Sequence, residues 1–523
     1  MRVSLRAVLV AAGLVLPAAV LVPFEPPRAR AENAASPTGA PEPQGLALRD
    51  AIASAAAGNI QLLKQNVALS TSQGNVIAAL GQFDIVLAGD ASFNRNVTPP
   101  LSLKDPMTNL AIPDRNSGSS YGQLFDLSLT RPLESGGTLT FAVQGRGQTT
   151  SASFACGSTA SEQSCQIYMP SATLTFTQPV LRGFGREIAE ANLYKARVNQ
   201  DLALLNRQAQ AANTVRDTII AYWELAYQTQ DLENQRFAER LAREQLRTTN
   251  AQIQVGKLGE LSAAAVNRAI STAQLAEASS EQSLMGRALD LQRLFGAAVP
   301  AGFVGYKAAD ALDASKHEVD VATETKHALE ASPALRSIRM GLVLSATDLR
   351  VARDSMRPLL NFTSSVSEGG RNNLLAESLN QMTNPQYTEF SAGVTFQLPL
   401  QNRAARGAEE VAHAASDSAQ LDARDLELQI RDTVARMAAQ IRSAGARVEH
   451  GLEAVGYSEQ NLKAEQARFS VGESTNNDVL LRMQELLQAK TSVARAMADL
   501  LEGDVALAAL TGDILDLYGI RLK

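Results

Sequence analysis

The stretch that decides the fold begins with Ser171-Ala172-Thr173-Leu174-Thr175-Phe176-Thr177-Gln178-Pro179, in which apolar Leu174 and Phe176 alternate with threonine. Alternation with a period of two is typical of a β-strand that has one apolar and one polar face. The pattern stops at the proline, and residues 187–255 then contain neither glycine nor proline. An unbroken helix of that length would be about 100 Å long, whereas helices of globular domains rarely exceed about 25 residues. We therefore predict a strand followed by one very long helix.

The same order of patterns occurs a second time. Gly393-Val394-Thr395-Phe396-Gln397-Leu398 also alternates, and it ends at Pro399, after which the chain contains no further proline. Both long segments lead to a Val-Gly pair, in Gln254-Val255-Gly256-Lys257 and in Ser470-Val471-Gly472-Glu473. In front of the strands, residues 62–87 align without gaps to residues 335–360. Internal repetition of this kind predicts two structural repeats per chain and a symmetric assembly.

These patterns divide the chain into four regions behind an N-terminal segment. The regions are a first repeat (residues 32–299), a linker (300–325), a second repeat (326–515) and a C-terminal tail (516–523). Each repeat is expected to contain a helix, strands, the long helix, the glycine turn and a returning helix. The strands are expected at about residues 85–180 and 358–400.

Residues 1–31 have the pattern of an export signal. Arg2 and Arg6 precede an apolar run from Ala7 to Val22, and Ala29-Arg30-Ala31 offers a cleavage site. An N-terminal membrane anchor is the alternative, but the apolar run of about 16 residues is shorter than the roughly 20 of a helical span. Behind the signal no apolar run is long enough for such a span, so a membrane crossing would have to be a β-barrel.

The composition narrows the class of protein. The chain has 523 residues, of which 45% are hydrophobic and 20% charged, which excludes a disordered chain and a polytopic helical membrane protein. The net charge of −6 and the absence of a basic run argue against nucleic-acid binding. Aromatic residues make up only 5%, so few large side chains are present to fill a thick globular core.

The last long segment carries a wide apolar stripe. Heptad spacing relates one series of residues, and a second series follows one residue later: Val479, Met483, Leu486, Val493, Met497 and Leu500, then Leu480, Leu487, Ala494 and Leu501. One seam serves a two-stranded coiled coil, whereas this wider stripe suits a helix with neighbours on two sides, as in a tube. An ordinary bundle helix is the alternative.

The two cysteines, Cys156 and Cys165, bracket a polar loop of eight residues. In an exported protein such a loop favours a small disulfide-closed ring, and two free thiols are the alternative.

Two further alternating segments lie inside the first repeat. Residues 123–130 and 138–143 flank Glu134-Ser135-Gly136-Gly137, which is typical of a tight hairpin turn. They predict four strands from the first repeat and two from the second. Alternatively, the hairpin is a surface extension or a partial plug.

Taken together, the order of these motifs resembles the TolC-like outer-membrane efflux protein family over nearly the whole chain. The segments that carry the resemblance are Gln178-Pro179-Val180-Leu181-Arg182-Gly183, Ala221-Tyr222-Trp223-Glu224-Leu225, Leu398-Pro399-Leu400, Phe469-Ser470-Val471-Gly472 and Asp478-Val479-Leu480. The resemblance implies an α+β membrane channel, in which an outer-membrane β-barrel is continued by a long periplasmic α-helical barrel. It implies a homotrimer in the outer membrane, in contact with outer-membrane lipid.

The family's activity and partners follow from the same resemblance. Its members are passive exit ducts of tripartite efflux or type I secretion systems, energised by an inner-membrane pump through a periplasmic adaptor (membrane fusion) protein. The resemblance therefore implies no catalytic residue, no cofactor and no metal site. Consistent with this, the four histidines are scattered, and His317-Glu318 lacks the second histidine of a zinc-protease helix. The alternative function is a periplasmic coiled-coil scaffold or adaptor without a pore.

The resemblance also assigns residues at the periplasmic tips. The two turns, with Val255, Gly256, Lys257 and with Val471, Gly472, Glu473, correspond to the adaptor docking sites. Asp478 corresponds to an acidic residue that rings the closed aperture, although Thr475 and Asp478 also form the pattern of a helix capping box. Three further aperture positions hold other residue types than the family's latch: Phe469, Ser474 and Leu481.

Overall fold

The computed structural model describes residues 43–99, 103–112, 118–150 and 165–520. The expected export signal and Cys156 of the expected disulfide lie outside the described residues.

Long helices make up most of the described chain. Their bounds are α1 Leu48–Gly58, α2 Ile60–Leu80, α3 Arg186–Ala189, α4 Ala191–Gln254, α5 Leu261–Leu294, α6 Val321–Ala331, α7 Pro333–Ser355, α8 Leu375–Met382, α9 Arg403–Val471, α10 Asn476–Thr511 and α11 Ile514–Leu517. The 64 residues of α4 extend for about 96 Å. The predicted unbroken helix over 187–255 is wrong at its start, because the chain turns at Glu190 between α3 and α4. None of the described helices is both long enough and apolar enough to cross a membrane.

The strands form one large sheet and two small ladders. Their bounds are β1 Gln44–Leu46, β2 Val86–Thr98, β3 Leu103–Lys104, β4 Ala111–Ile112, β5 Gly118–Pro132, β6 Thr138–Thr150, β7 Cys165–Pro179, β8 Tyr306–Ala308, β9 Leu359–Gly369 and β10 Thr388–Gln397. The large sheet has the order β10-β9-β7-β6-β5-β2, and every neighbouring pair in it is antiparallel. The hairpin β5–β6 lies inside this sheet, so the first half of the chain contributes four strands to it, as the alternation predicted.

The register of the sheet gives its two faces different characters. One row of directly paired residues crosses all six strands and is apolar throughout: Leu87, Leu129, Phe141, Leu174, Val366 and Phe390. These six residues are 41–69% exposed. The row one residue away is made of hydroxyl side chains except at its first member: Val86, Thr130, Thr140, Thr175, Ser365 and Ser391. An exposed apolar face therefore lies behind a hydroxyl-rich one.

The sheet curls toward its polar face. Asn94 on edge strand β2 and Glu389 on edge strand β10 border the same open cavity, together with Gln144 and Arg146 from the middle of the sheet. Two edge strands of a flat six-stranded sheet would be more than 20 Å apart, since neighbouring strands lie about 4.8 Å apart.

The helices form a single layer below the sheet. Next to the sheet the order of packed helices is α2, α4, α7, α9, and further down it is α5, α4, α10, α9. The interfaces are apolar and include Ile219, Leu225, Ile441 and Leu500, all almost completely buried. The wide stripe predicted on the last long helix is confirmed in α10, where Val479, Leu486, Val493 and Leu500 are buried together with Leu480 and Ala494.

A second layer covers one side of these helices at mid-height. We call it the strap: β1, the parallel strand β8 and residues 309–320. The Tyr222 hydroxyl of α4 lies 2.6 Å from Asp310 Oδ2 and 2.9 Å from the Leu46 carbonyl oxygen, which fastens the strap to the helices. The expected linker thus includes a strand, and the boundary expected at residue 325 falls inside α6. Similarly, the tail expected from residue 516 begins inside α11, and Ile520 packs against the helices.

Candidate functional site

The two glycine turns lie at the same end of the helical layer, opposite the sheet. They are brought together by an apolar cluster in which Phe469, Val479 and Leu480 pack against Val266 and partly buried Leu258. Gln252, just before the first turn, donates a hydrogen bond of 3.0 Å to the carbonyl oxygen of Phe469, just before the second. The tips of both repeats therefore form one structural unit.

Both turns end their helices in the same way. After α4, the N–H of Gly256 donates to the Ile253 carbonyl and that of Lys257 to the Gln252 carbonyl, both at 2.9 Å. This paired pattern is the Schellman motif, and it requires a positive φ at the glycine, which is 74° here.

After α9 the pattern repeats, since Gly472 donates to Phe469 and Glu473 to Arg468. The φ of Gly472 is 88°. A side chain at either glycine would meet no atom within 4 Å, so backbone conformation and not space requires glycine at these positions.

The turns leave apolar side chains facing solvent. Val255 and Val471 are 69% and 67% exposed at equivalent positions of the two turns. Lys257 and Glu473, which follow the glycines, are also exposed. Each valine thus forms an exposed apolar knob on its own turn. Lys257 lies beside it in the first turn and Glu473 in the second.

The four residues assigned to the aperture have different surroundings in the structure. Phe469 is buried in the apolar cluster and 1% exposed, so it acts in the core of the tip. Ser474 donates a hydrogen bond to Glu465. Asp478 and Leu481 lie three residues apart on α10, and Leu481 is exposed.

Asp478 completes the capping box that the sequence predicted. Its N–H donates to the Thr475 hydroxyl at 3.3 Å, and its carboxylate accepts from the Thr475 hydroxyl and N–H at 2.7 and 3.2 Å. These donors lower the pKa of Asp478. The ionised carboxylate therefore stabilises the start of α10 at neutral pH, and this contribution is lost as the pH falls through the lowered pKa.

A buried polar network next to the turns was not foreseen from the sequence. Asn476 is 8% exposed, and its amide oxygen accepts hydrogen bonds of 2.8 Å from Gln245 and from Thr249, both on α4. Its amide nitrogen donates to the carbonyl oxygen of Ser262 on α5 at 3.1 Å. One side chain thus joins the hairpin α4–α5 to the start of α10. The sequence held one indication of this network. Gln245 and Thr249 are polar residues four apart, and they occupy positions that continue the buried face of α4.

Within the described residues, no group of three histidine, cysteine, aspartate or glutamate side chains is placed to hold a metal ion.

Replacing Asn476 should loosen the tip. Asn476→Ala leaves the buried side-chain amide of Gln245 without its acceptor, at a cost of about 1–3 kcal/mol, and leaves the Thr249 hydroxyl with only the Gln245 carbonyl oxygen. We expect the amides of residues 245–265 and 473–485 to exchange with deuterium at least about tenfold faster, as hydrogen-exchange mass spectrometry would measure. Asn477→Ala is the matched control, because Asn477 is the exposed neighbour. Equal effects of the two variants would contradict the role of the network.

Two substitutions of Asp478 should distinguish the effect of its hydrogen bonds from the effect of its charge. Asp478→Ala removes the acceptor, and loss of a helix cap costs about 1 kcal/mol, or about fivefold in local opening. Asp478→Asn keeps an acceptor oxygen without the charge, so it should exchange more slowly than the alanine variant at residues 475–480. Exchange at the wild-type rate in Asp478→Ala would show that the cap does not hold this helix end.

Comparison with known proteins agrees with this architecture. The family model described as "Outer membrane efflux protein" matches residues 325–513. Among curated proteins, none matches the sequence significantly.

Several solved structures share the fold. The Campylobacter jejuni CmeC outer membrane channel is 13% identical with a TM-score of 0.63, over 89% of this chain and 85% of that one. The outer membrane protein VceC of Vibrio cholerae is 16% identical with a TM-score of 0.62, over 89% and 96%. The open state of the Neisseria gonorrhoeae MtrE outer membrane channel is 14% identical with a TM-score of 0.57, over 90% and 89%. Residues 325–513 therefore match the outer membrane efflux protein model, and the described chain has the fold of these solved outer-membrane channels.

Proposed function

We propose that this protein is one subunit of a trimeric channel-tunnel, a passive exit duct of a tripartite efflux or type I secretion system. The sheet lies in the outer membrane as part of a β-barrel, and the helices extend into the periplasm. An inner-membrane pump supplies the energy through a periplasmic adaptor protein.

The observation that carries the proposal is the two-faced sheet with both edges unpaired. The apolar row from Leu87 to Phe390 is suited to lipid, and the hydroxyl row behind it is suited to a water-filled lumen. Edge strands β2 and β10 have no second partner in the large sheet. In a bilayer unpaired backbone groups are costly, so the sheet must be closed by further copies of itself. A scaffold without a pore would have no use for such an apolar face.

The widths of the two layers agree for three copies. Twelve helices about 10 Å apart have a circumference of about 120 Å. Eighteen strands about 4.8 Å apart, tilted by about 40°, have a circumference of about 110 Å. A barrel of six strands per chain therefore joins the helical ring without a large step in width.

Exposed apolar residues on the two outermost helices support the same assembly. Val67 and Ile77 on α2 and Val411 and Leu421 on α9 are all more than 60% exposed. These helices form opposite ends of the helical layer, so the α9 end of one copy would cover the α2 and α5 end of the next.

The tips provide the proposed contact with the adaptor. Val255 and Val471 offer two equivalent apolar knobs on a rigid turn, with Lys257 and Glu473 beside them. An adaptor that presents apolar pockets with complementary charges would fit both turns of each subunit.

We propose that the cysteine pair lies at the cell surface. Cys165 begins β7 and pairs in register with Thr150, the last residue of β6, at the end of the sheet away from the helices. Long connections of outer-membrane barrels face outward, so a Cys156–Cys165 disulfide would close an external loop.

Charge substitutions on adjacent residues test the assignment of the two faces. Phe141→Lys places a cation on the proposed lipid face, at a cost of about 2–4 kcal/mol near the membrane midplane. Thr140→Lys, one residue earlier on the same strand, places it on the lumen side and should be tolerated. Detergent extraction of outer membranes followed by native mass spectrometry should show trimers for wild type and Thr140→Lys, and strongly reduced trimers for Phe141→Lys. A water-soluble wild-type protein, or normal assembly of both variants, would overturn the proposal.

Asp478→Asn tests the aperture, because this variant keeps the cap. If three Asp478 carboxylates ring the narrow end of the tunnel, multivalent cations added on the periplasmic side should block single-channel conductance in planar bilayers. The asparagine variant should weaken that block about tenfold or more. Unchanged block would leave Asp478 with the capping role alone.

A further inference from the structure

A chain of alternating charges crosses all four helices of the lower layer at one level. Arg495 on α10 lies at its centre, 2.6 Å from Glu224 on α4 and 2.6 Å from Asp499 on its own helix. Arg287 on α5 reaches Glu224 at 3.5 Å, and Arg447 on α9 reaches Asp499 at 2.9 Å. The sequence of charges from α5 to α9 is therefore positive, negative, positive, negative, positive.

Arg495, at the centre of this chain of charges, makes several further contacts. Arg495 also lies 3.2 Å from Glu502 and stacks on the ring of Tyr227 at 5.1 Å. Glu224, Asp499 and Glu502 are all at least four-fifths buried, whereas the end residues Arg287 and Arg447 are about half exposed. Carboxylates buried to this extent are stable in their ionised form only when cationic partners lie beside them.

The chain of charges lies on the side of the helices opposite the strap. On α4, Glu224 is two residues from strap-bound Tyr222, which is about 200° around the helix. On α9, Arg447 is likewise two residues from Glu449, which pairs with Lys316 of the strap at 2.9 Å.

The third helix gives the same direction. On α10, Arg495 is nine residues, about two and a half turns, from Asp504, which pairs with His317 of the strap at 3.0 Å. All three helices therefore turn their strap-binding residues and the residues of the charge chain to opposite sides.

In the proposed trimer the strap belongs outside, and the charges therefore face the lumen. A ring of twelve helices about 10 Å apart is about 38 Å across between opposite axes. Three straps on the inner side would fill that space and close the duct.

The two ends of the charge chain lie at similar heights. Asp290 is three residues beyond Arg287 on α5 and pairs with it at 3.6 Å, so it lies about 4.5 Å further from the tip. Arg447 lies beside Asp499, which is four residues, about 6 Å, further from the tip than Arg495. Rotation about the tunnel axis keeps heights unchanged, so the α9 end of one copy meets the α5 end of the next within the reach of an arginine side chain.

From these positions we propose that the charges form a closed belt around the lumen, continued between subunits by an ion pair of Arg447 with Asp290 of the neighbouring copy. This inference rests on the proposed trimer. Asp290 is 61% exposed in the single chain and Arg447 is 50% exposed, so both have a free side on which to accept this partner.

Cross-linking tests the contact directly. In a background with Cys156→Ser and Cys165→Ser, the pair Arg447→Cys and Asp290→Cys should be joined between chains by a short bis-maleimide in native membranes, which gives covalent dimers and trimers on denaturing gels. The matched control combines Asp290→Cys with Lys316→Cys, since Lys316 lies at the level of the belt on the strap side. It should give at least about tenfold less cross-linked product.

A double-mutant cycle supplies an independent measurement. Arg447→Ala and Asp290→Ala should each lower the temperature at which trimers dissociate, and the double variant should be little worse than the more severe single one, because both remove the same contact. Lys316→Ala combined with Asp290→Ala should be additive.

The outcomes separate the belt from the channel itself. Trimers without the Arg447–Asp290 cross-link, equal cross-linking in the control, or additive effects in the cycle would overturn the belt and leave the proposed function intact. A wild-type protein that forms no trimers by native mass spectrometry would overturn both.

Discussion

The unpaired edges of the six-stranded sheet are the constraint on which the rest of the molecule depends. β2 and β10 present a full row of backbone donors and acceptors, and the apolar face between them is exposed along its whole width. The unpaired edges are costly in lipid and invite association in water, and the apolar face is unfavourable in water. A closed assembly satisfies both at once, since edges pair between copies and the apolar face turns to the membrane. The helical layer also requires neighbouring copies, because its outermost helices expose apolar residues.

The additional hairpin in the first half of the chain changes the dimensions of this assembly. Four strands per chain would give a ring narrower than twelve helices, whereas six give about the same circumference. The tight turn at Gly136, whose φ is 86°, lies against the backbone of Gly183 at the junction of sheet and helices. The hairpin is therefore anchored where the two layers meet, and both of its strands belong to the large sheet.

Polar interactions hold the helical layer where apolar packing alone would leave its register undefined. Long helices with small and medium apolar residues can slide past each other by a turn with little change in buried area. The Asn476 network at the tip and the charges around Arg495 each join different helices at one height, and the Tyr222 contacts join α4 to the strap. Together they set the relative positions of α4, α9 and α10 at two levels along the tunnel.

The sequence by itself determined the elements that depend on local pattern. Period-two alternation identified the strands and the hairpin, long segments without proline identified the long helices, and Val-Gly pairs identified the turns, because each feature reports the conformation of a few neighbouring residues. Thr475 and Asp478 were recognisable as a capping box for the same reason. Only the tertiary structure decided which residues meet across helices. Asn476 reads as one more polar residue near a helix start, and Arg287, Glu224, Arg495 and Arg447 are separated by up to 271 residues along the chain. Such contacts depend on the relative height and rotation of helices, which are set by packing over their whole length and leave no signal in any single segment.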